Sequence, residues 1–315
     1  MHRNWQKIIW SVVLVVWGVL VFLGGWFADG HAVVVVALAG MNTILLAYIW
    51  YITTRSSVRV ADEDLEKTRM GTSLAIAEKI QKQLLPTKVP AMNGLECFVR
   101  SRPSEEIGGD FYQILEPDSD HVVLAMGDVA GHGLPSGIIS IMIDTLLHAF
   151  NGRSHSLVDK LVEMNKVLYK RIDPSLFASM ILCSWEKSSQ KLTVASAGFG
   201  YLLHWEAQHK QVKKIKGGGM ALGMIADIRP FLEEKEIPLS DSDSLVIATD
   251  GISEIVGSNG KRLGVGGLSQ WIAQSADGAS ARILFEALSK EIAQSMLAKQ
   301  QHDDLTLMVL TRCPC

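Results

Sequence analysis

The stretch His121-Val122-Val123-Leu124-Ala125-Met126-Gly127-Asp128-Val129-Ala130-Gly131-His132-Gly133 decides how the chain is read. An apolar run of strand length over His121–Met126 ends in Gly-Asp and then in a glycine-flanked histidine. The same punctuation recurs twice. Ser244–Ala248 runs into Thr249-Asp250-Gly251, and Asp303-Asp304 open the apolar run Leu305–Thr311. A further acid, Asp110, follows Gly108-Gly109. Between these points Phe177–Trp185 and Lys191–Ser196 read as a hairpin with Tyr201–Trp205 close behind. Helical patterns cover Leu134–Phe150, Leu157–Arg171 and Ala281–Lys299. Strands adjacent in sequence, with helices in blocks, predict antiparallel sheets covered by helices, an α+β fold.

Glycines beside acids let backbone and ligand approach closely. Four carboxylates gathered at one end of a sheet repel one another and resist ionisation. Two divalent cations cancel that charge, and hard oxygen donors suit Mg²⁺ or Mn²⁺. Such a pair activates a bridging water for in-line attack on a phosphoryl group.

Upstream, Ile8–Phe27 and Ala32–Thr53 contain no charged residue, and each has the length of a membrane-crossing helix. Asp29-Gly30-His31 link them as a tight hairpin. Trp5, Trp10, Trp26, Tyr48, Trp50 and Tyr51 lie near the span ends, where amphipathic rings favour the interface. Arg3 and Lys7 precede the first span, and Arg55 and Arg59 follow the second. The expectation is an inner-membrane anchor with both termini and the catalytic domain cytoplasmic. From Arg55 to Leu85 dense mixed charge predicts an exposed linker helix. Its Val58, Ala61, Leu65, Ile76, Ile80 and Leu84 would allow homodimer pairing. Three regions follow: 1–54 anchor, 55–85 linker and 86–315 globular domain. Hydrophobic residues make up 48% of the chain, and with a net charge of −3 and no long basic run nothing argues for a nucleic-acid surface. Cys97, Cys183, Cys313 and Cys315 show no metal-ligand spacing.

In order, the motifs are Ile80-Gln81 with Leu84-Leu85-Pro86, Ile107-Gly108-Gly109-Asp110-Phe111-Tyr112, and Met126 to Gly133. Phe177-Ala178-Ser179-Met180, Ser196-Ala197-Gly198, Leu222-Gly223, Ala248-Thr249-Asp250-Gly251 with Glu254, and Asp303-Asp304-Leu305-Thr306 complete the set. Over residues 76–312 this set resembles the PPM-type metal-dependent protein serine/threonine phosphatases. The similar branch is that of stage II sporulation protein E and the sigma-factor regulatory phosphatases. The resemblance implies a four-layer αββα sandwich of two antiparallel sheets flanked by helices, here preceded by the transmembrane hairpin and linker helix. It implies Asp110, Asp128, Asp250 and Asp303 as side-chain ligands of two divalent cations, Mn²⁺ or Mg²⁺, with the carbonyl of Val129 as a further donor. Asp110 and Asp128 would hold the metal-activated water, and Asp304 is the less favoured of its pair. The implied reaction is hydrolysis of phosphoserine or phosphothreonine, typically on an anti-sigma factor antagonist. The alternative is a catalytically silent membrane scaffold that binds a signalling partner through the same fold.

One segment departs from the pattern. Where relatives carry His-Asn-Pro after Ala-Gly, this chain has Phe199-Gly200-Tyr201, which predicts altered substrate contacts by this segment rather than lost catalysis. His132 reads as a turn residue or a general acid, and His302 beside Asp303 as a turn residue. Gly217-Gly218-Gly219 reads as a turn rather than a phosphate cradle, since no Lys-Ser/Thr follows.

Overall fold

The computed structural model describes residues 15–19, 22, 30–86, 88–152, 156–173, 175–257, 260–296, 301 and 303–313, with the side chains of 30–36 and 56–70 excepted. The chain forms two compact units, Met1–Thr72 and Ser73–Cys315. A single helix, α1 (Gly30–Leu84), runs without a break through the expected boundary at residues 54 and 55. The division between units falls inside the expected linker. Within α1, Ala37–Arg55 is long and apolar enough to cross a membrane, with almost none of it buried in the chain. It is the only such segment among the described residues. The first expected span lies outside the described residues, apart from Val15–Val19 and Phe22, which are helical.

The second unit holds two five-stranded antiparallel sheets. Sheet A has the order β1 (Leu95–Arg102), β10 (Leu305–Arg312), β9 (Ser244–Ala248), β6 (Phe199–Glu206) and β7 (Gln211–Gly218). Sheet B has the order β2 (Phe111–Leu115), β3 (His121–Val129), β4 (Ala178–Glu186), β5 (Lys191–Ala197) and β8 (Glu234–Ile237). Strand β3 shows why its apolar run is unbroken: both faces of a central strand are covered. Val122, Leu124 and Met126 enter the core between the sheets with Leu245, Ile247, Met308 and Leu310. Val123, Ala125 and Val129 point the other way, into a core shared with α2 (Leu134–Phe150) and α3 (Leu157–Leu168).

On the far face of sheet A, Leu203, Val246, Leu307 and Val309 pack under α5 (Gly264–Ser275) and α6 (Ala281–Met296). The result is helices, sheet B, sheet A, helices: the α+β class that the pattern predicts, in the four layers that the resemblance implies. Helix α2 opens at Pro135, whose fixed φ suits the first turn and whose missing N–H costs nothing there. Helix α3 is capped by Ser156, whose hydroxyl accepts from the N–H of Asp159 at 3.1 Å. Cys97 and Cys183 lie between the sheets, and burial pushes both thiols up to about 12, so they stay protonated and inert. Met164 of α3 is fully buried in the core between that helix and sheet B.

Candidate metal centre and active site

Topology gathers the acids. Strands β9 and β10 are antiparallel neighbours, with Ala248 opposite Leu307, so the end of one lies beside the start of the other. Asp250 follows β9 in the first turn of the short helix α4 (Asp250–Glu254), and Asp303-Asp304 directly precede β10. Asp128 is the penultimate residue of β3, paired with Ser179 on β4. Asp128, Asp250 and Asp303 line one cleft of about 530 Å³, together with His132 and the segment Gly198–Tyr201.

Asp110 does not line that cleft; it is buried just ahead of β2, at a neighbouring cavity that Gln81 and Ser140 also line. Its Oδ2 accepts from the hydroxyls of Thr249 at 2.8 Å and Thr306 at 2.6 Å, and its Oδ1 has no partner among the described residues. Burial, then the charges of Asp128 and Asp304, push its carboxyl well above the usual range against the pull of the two threonines. Burial and the charges of Asp250, Asp303 and Asp304 push Asp128 up to about 8. Asp303 is raised by burial first, and then by Asp250, Asp304 and Glu254. Carboxylates placed this way oppose one another's ionisation, and a bound cation reverses that logic. The donors available are carboxylate and carbonyl oxygens, which fits Mg²⁺ or Mn²⁺ and does not suit a thiolate-selecting metal.

Two glycines make the packing possible. A Cβ on Gly109 would stand 2.8 Å from the carbonyl oxygen of Val129 and 3.0 Å from Asp128 Oδ1. One on Gly108 would collide with Asp304 Oδ2. The doubled glycine before Asp110 therefore lets this loop lie against two acids and a carbonyl at once.

Asp303 and Asp304 have different surroundings. Asp304 is 4% exposed. Its Oδ1 accepts from the N–H and hydroxyl of Ser104 at 2.7 and 2.9 Å, and its Oδ2 from the N–H of Asp110 at 3.3 Å. Asp303 lines the cleft, with one described hydrogen bond to its carboxylate, from the N–H of Asp304 at 2.8 Å.

The sequence did not single out Thr249, Thr306 and Ser104, which hold these acids. The two threonines stand beside or two residues from an acid, which was a usable signal; Ser104 carries none. Gln81 stands in the Ile80-Gln81 motif with no role assigned to it, and Gln113 carried no signal. Gln81 Nε2 donates to the carbonyl of Gly108 at 2.7 Å and to Ser140 Oγ at 2.9 Å, while its Oε1 accepts from the N–H of Gly108 at 3.2 Å. Gln113 Nε2 donates to the carbonyl of Leu84 and to Asp144 Oδ1, both at 2.5 Å. The end of α1 is thus fastened to the loop that carries Asp110.

Other sequence readings resolve as follows. Phe199 is 4% exposed and its side chain belongs to the core between the sheets. Phe199, Gly200 and the half-buried Tyr201 all line the cleft, so the departure from the family pattern falls at the cleft wall. His132 stands at the cleft rim with Nδ1 2.9 Å from Glu105 Oε1. The backbone of Gly217–Gly219 packs on β5 and β6, with Ser196 Oγ donating to the carbonyl of Gly218 at 3.0 Å, and forms no phosphate cradle. His302 lies outside the described residues.

A separate trio, Asp120, His121 and Glu186, has ligand atoms within 4.8 Å of one another. It lies at the opposite end of β3 from Asp128, about 23 Å away at about 3.3 Å per residue. Asp120 is already held by the N–H and hydroxyl of Ser188 at 2.9 and 2.6 Å. It is no part of the cleft.

Comparison with known proteins places this geometry. Residues 118–312 match the family model described as stage II sporulation protein E (SpoIIE). The chain is 26% identical over 244 residues to phosphoserine phosphatase RsbU of Bacillus subtilis, covering 76% of this chain and 70% of that protein. The solved SiaA-PP2C domain of Pseudomonas aeruginosa superposes with a TM-score of 0.66 at 22% identity, covering 79% of this chain and 98% of that one. The RsbU and RsbW domains of a Mycobacterium tuberculosis protein give 0.62 at 23% identity, covering 73% and 63%. The matched model spans strands β3 to β10 and the cleft acids Asp128, Asp250 and Asp303, so the chain belongs to the stage II sporulation protein E family and is a metal-dependent protein phosphatase of the PP2C type.

Proposed function

We propose that this chain is a membrane-anchored phosphatase that removes phosphate from serine or threonine of a small regulatory phosphoprotein, of the class that antagonises anti-sigma factors. The observation that carries the reading is the convergence of Asp128, Asp250 and Asp303 on one cleft, with Asp110 buried at a neighbouring cavity. The likeness to an RsbU phosphoserine phosphatase supports the substrate class. In this proposal Asp110, Asp128, Asp250, Asp303 and the carbonyl of Val129 hold two divalent cations. Bound there, the cations would supply Lewis acidity to the phosphoryl oxygens and lower the pKa of an attacking water.

The chain's own groups prepare the site. Thr249 and Thr306 fix Asp110 through Oδ2, which leaves Oδ1 for a ligand. Asp304 ties the Ser104–Asp110 loop to the start of β10. Gly109 gives the loop its close approach to Asp128 and Val129.

The anchor in this proposal is a two-helix hairpin built from residues 8–27 and 32–53, with both termini and the phosphatase domain cytoplasmic. The apolar, unburied segment Ala37–Arg55 supports it. Ile76 and Ile80 of α1 stand 58% and 45% exposed, which favours pairing with a second copy. One preparation tests these parts together. The expressed chain is expected to pellet with membranes, resist alkaline extraction and, in detergent, scatter light as a dimer. With Mn²⁺ it should release phosphate from a phosphoserine protein. A chain found entirely in the supernatant would remove the anchor, and failure both to bind Mn²⁺ and to release phosphate would favour the scaffold.

Control of activity is proposed to run through Gln81, because its three hydrogen bonds connect α1 to the Gly108–Asp110 loop and to α2. Gln81→Ala is expected to lower kcat about tenfold, with loss of about 1 kcal/mol for each broken bond. Raised Mn²⁺ should restore part of that loss, since the acids themselves are intact. A variant with parental kinetics at every Mn²⁺ concentration would show that this contact is structural only.

A further inference from the structure

Strand β7 is the free edge of sheet A, and the ribbon around it is rich in lysine. Lys210 is paired with Asp277, and Lys213 with Glu206 at 2.5 Å. Lys214 and Lys216 are exposed, and among the described residues neither meets a carboxylate within 4.0 Å. These two are the lysines beside the cleft wall. Lys216 is the cross-strand partner of Tyr201, and Lys214 Nζ lies 4.9 Å from the centre of the Tyr201 ring. Cross-strand partners share a face of the sheet, as do residues two apart, so both ammonium groups rise on the side of that ring. The ring itself lines the cleft with Asp128, Asp250 and Asp303.

Neither lysine lines the cleft, so a phosphoryl group seated among the acids would not reach them first. What passes over Tyr201 is the polypeptide on either side of the phosphorylated residue. An ammonium steadied over an aromatic face remains free to accept a carboxylate from outside. We propose that Lys214, steadied by Tyr201 and seconded by Lys216, selects substrates with acidic side chains flanking the phosphoserine. The proposal rests on the phosphatase reading above and adds a specificity to it. Edge-strand lysines also discourage sheet-to-sheet pairing, and Lys213 serves as the control for that role.

The full-length chain, solubilised in detergent with Mn²⁺, is assayed on three substrates. They are p-nitrophenyl phosphate and two phosphoserine peptides that differ only in carrying Glu or Gln at the flanking positions. The quantity read is the ratio of kcat/KM for the Glu peptide to that for the Gln peptide. The parent is expected to favour Glu, and Lys214→Glu to lower the ratio about fivefold, the size of one exposed ion pair. Lys214→Arg should keep the preference and Lys213→Glu should leave the ratio as in the parent. A parent ratio near one, or an equal fall in Lys214→Glu and Lys213→Glu, would overturn the proposal while leaving the phosphatase reading in place. A parent that releases phosphate from none of the three substrates would overturn both.

Discussion

Asp128→Asn is expected to abolish metal-dependent phosphate release and at the same time raise the melting temperature of the metal-free chain. The first effect follows from the position of Asp128 among the cleft acids. In the proposed site Asp128 would be one of the acids that hold the cations, and its loss would remove several kcal/mol of cation-supplied stabilisation, a fall of about a thousandfold or more in rate. The second follows from electrostatics. Burial and the charges of Asp250, Asp303 and Asp304 push Asp128 from its ordinary 3.8 up to about 8. A carboxyl raised in the folded state binds its proton more tightly there than in the unfolded chain. Without metal its contribution to stability is therefore lost progressively as pH climbs from about 3.8 to about 8. Asparagine has nearly the same shape and carries no charge to repel. In chelator, the variant should melt above the parent, and the gap should widen with pH up to about 8, reaching on the order of a few kcal/mol. Calorimetric scans of both proteins from pH 5 to pH 9, with and without Mn²⁺, read both effects. If the variant melts below the parent at every pH without metal, the acids are not in conflict and the argument for a cation between them loses its electrostatic support.

How much of this was legible depended on what covers each element. The central strands β3, β4, β9 and β10 are buried on both faces, so their sequences are nearly continuous apolar runs that announce themselves. Strand β1 alternates buried and solvated positions and ends in Arg100-Ser101-Arg102, and the edge strand β7 carries three lysines. Neither has a run to read. Helix α5 contains Gly264, Gly266 and Gly267, poor helix formers, and is held by Leu268 and Ile272 packing on sheet A. At the site, acids beside glycines could be picked out because their spacing is local. That Asp110 would be buried apart from the cleft acids, fixed by two threonines from β9 and β10 ends, is a property of tertiary packing. The Phe199 segment shows the limit most directly. Sequence marked the departure, but residues two apart, such as Phe199 and Tyr201, share a face under strand alternation. That Phe199 instead enters the core between the sheets while Tyr201 packs toward the helices of sheet A is a property of tertiary packing at the start of β6.

The adjacent pair Asp303 and Asp304 gives the sharpest separation of roles, because a single substitution at each should fail in a different way. Asp304 is buried and takes hydrogen bonds on both oxygens, two from Ser104 and one from Asp110. An asparagine there can offer an oxygen to one set only, and its amide then faces a donor. The cost is that of a hydrogen bond to a buried charged group, about 1.5–3 kcal/mol. For a unit of this size that is a fall of about 5 °C in Tm. Among the described residues Asp303 accepts only the N–H of Asp304, through Oδ1, a bond that asparagine also accepts, and the side chain lines the cleft. Asp303→Asn should melt no lower than the parent, since it removes a carboxylate whose ionisation burial and the charges of Asp250, Asp304 and Glu254 oppose, and it should weaken Mn²⁺ binding tenfold or more, about 1.4 kcal/mol. Asp304→Asn should lower Tm, and any loss of Mn²⁺ affinity should be recovered at low temperature where the loop is held. Titration calorimetry with Mn²⁺ beside thermal melts of the two variants distinguishes them. If Asp304→Asn loses the metal with an unchanged melt while Asp303→Asn binds as the parent does, the ligand is Asp304 and the loop contacts with Ser104 are secondary.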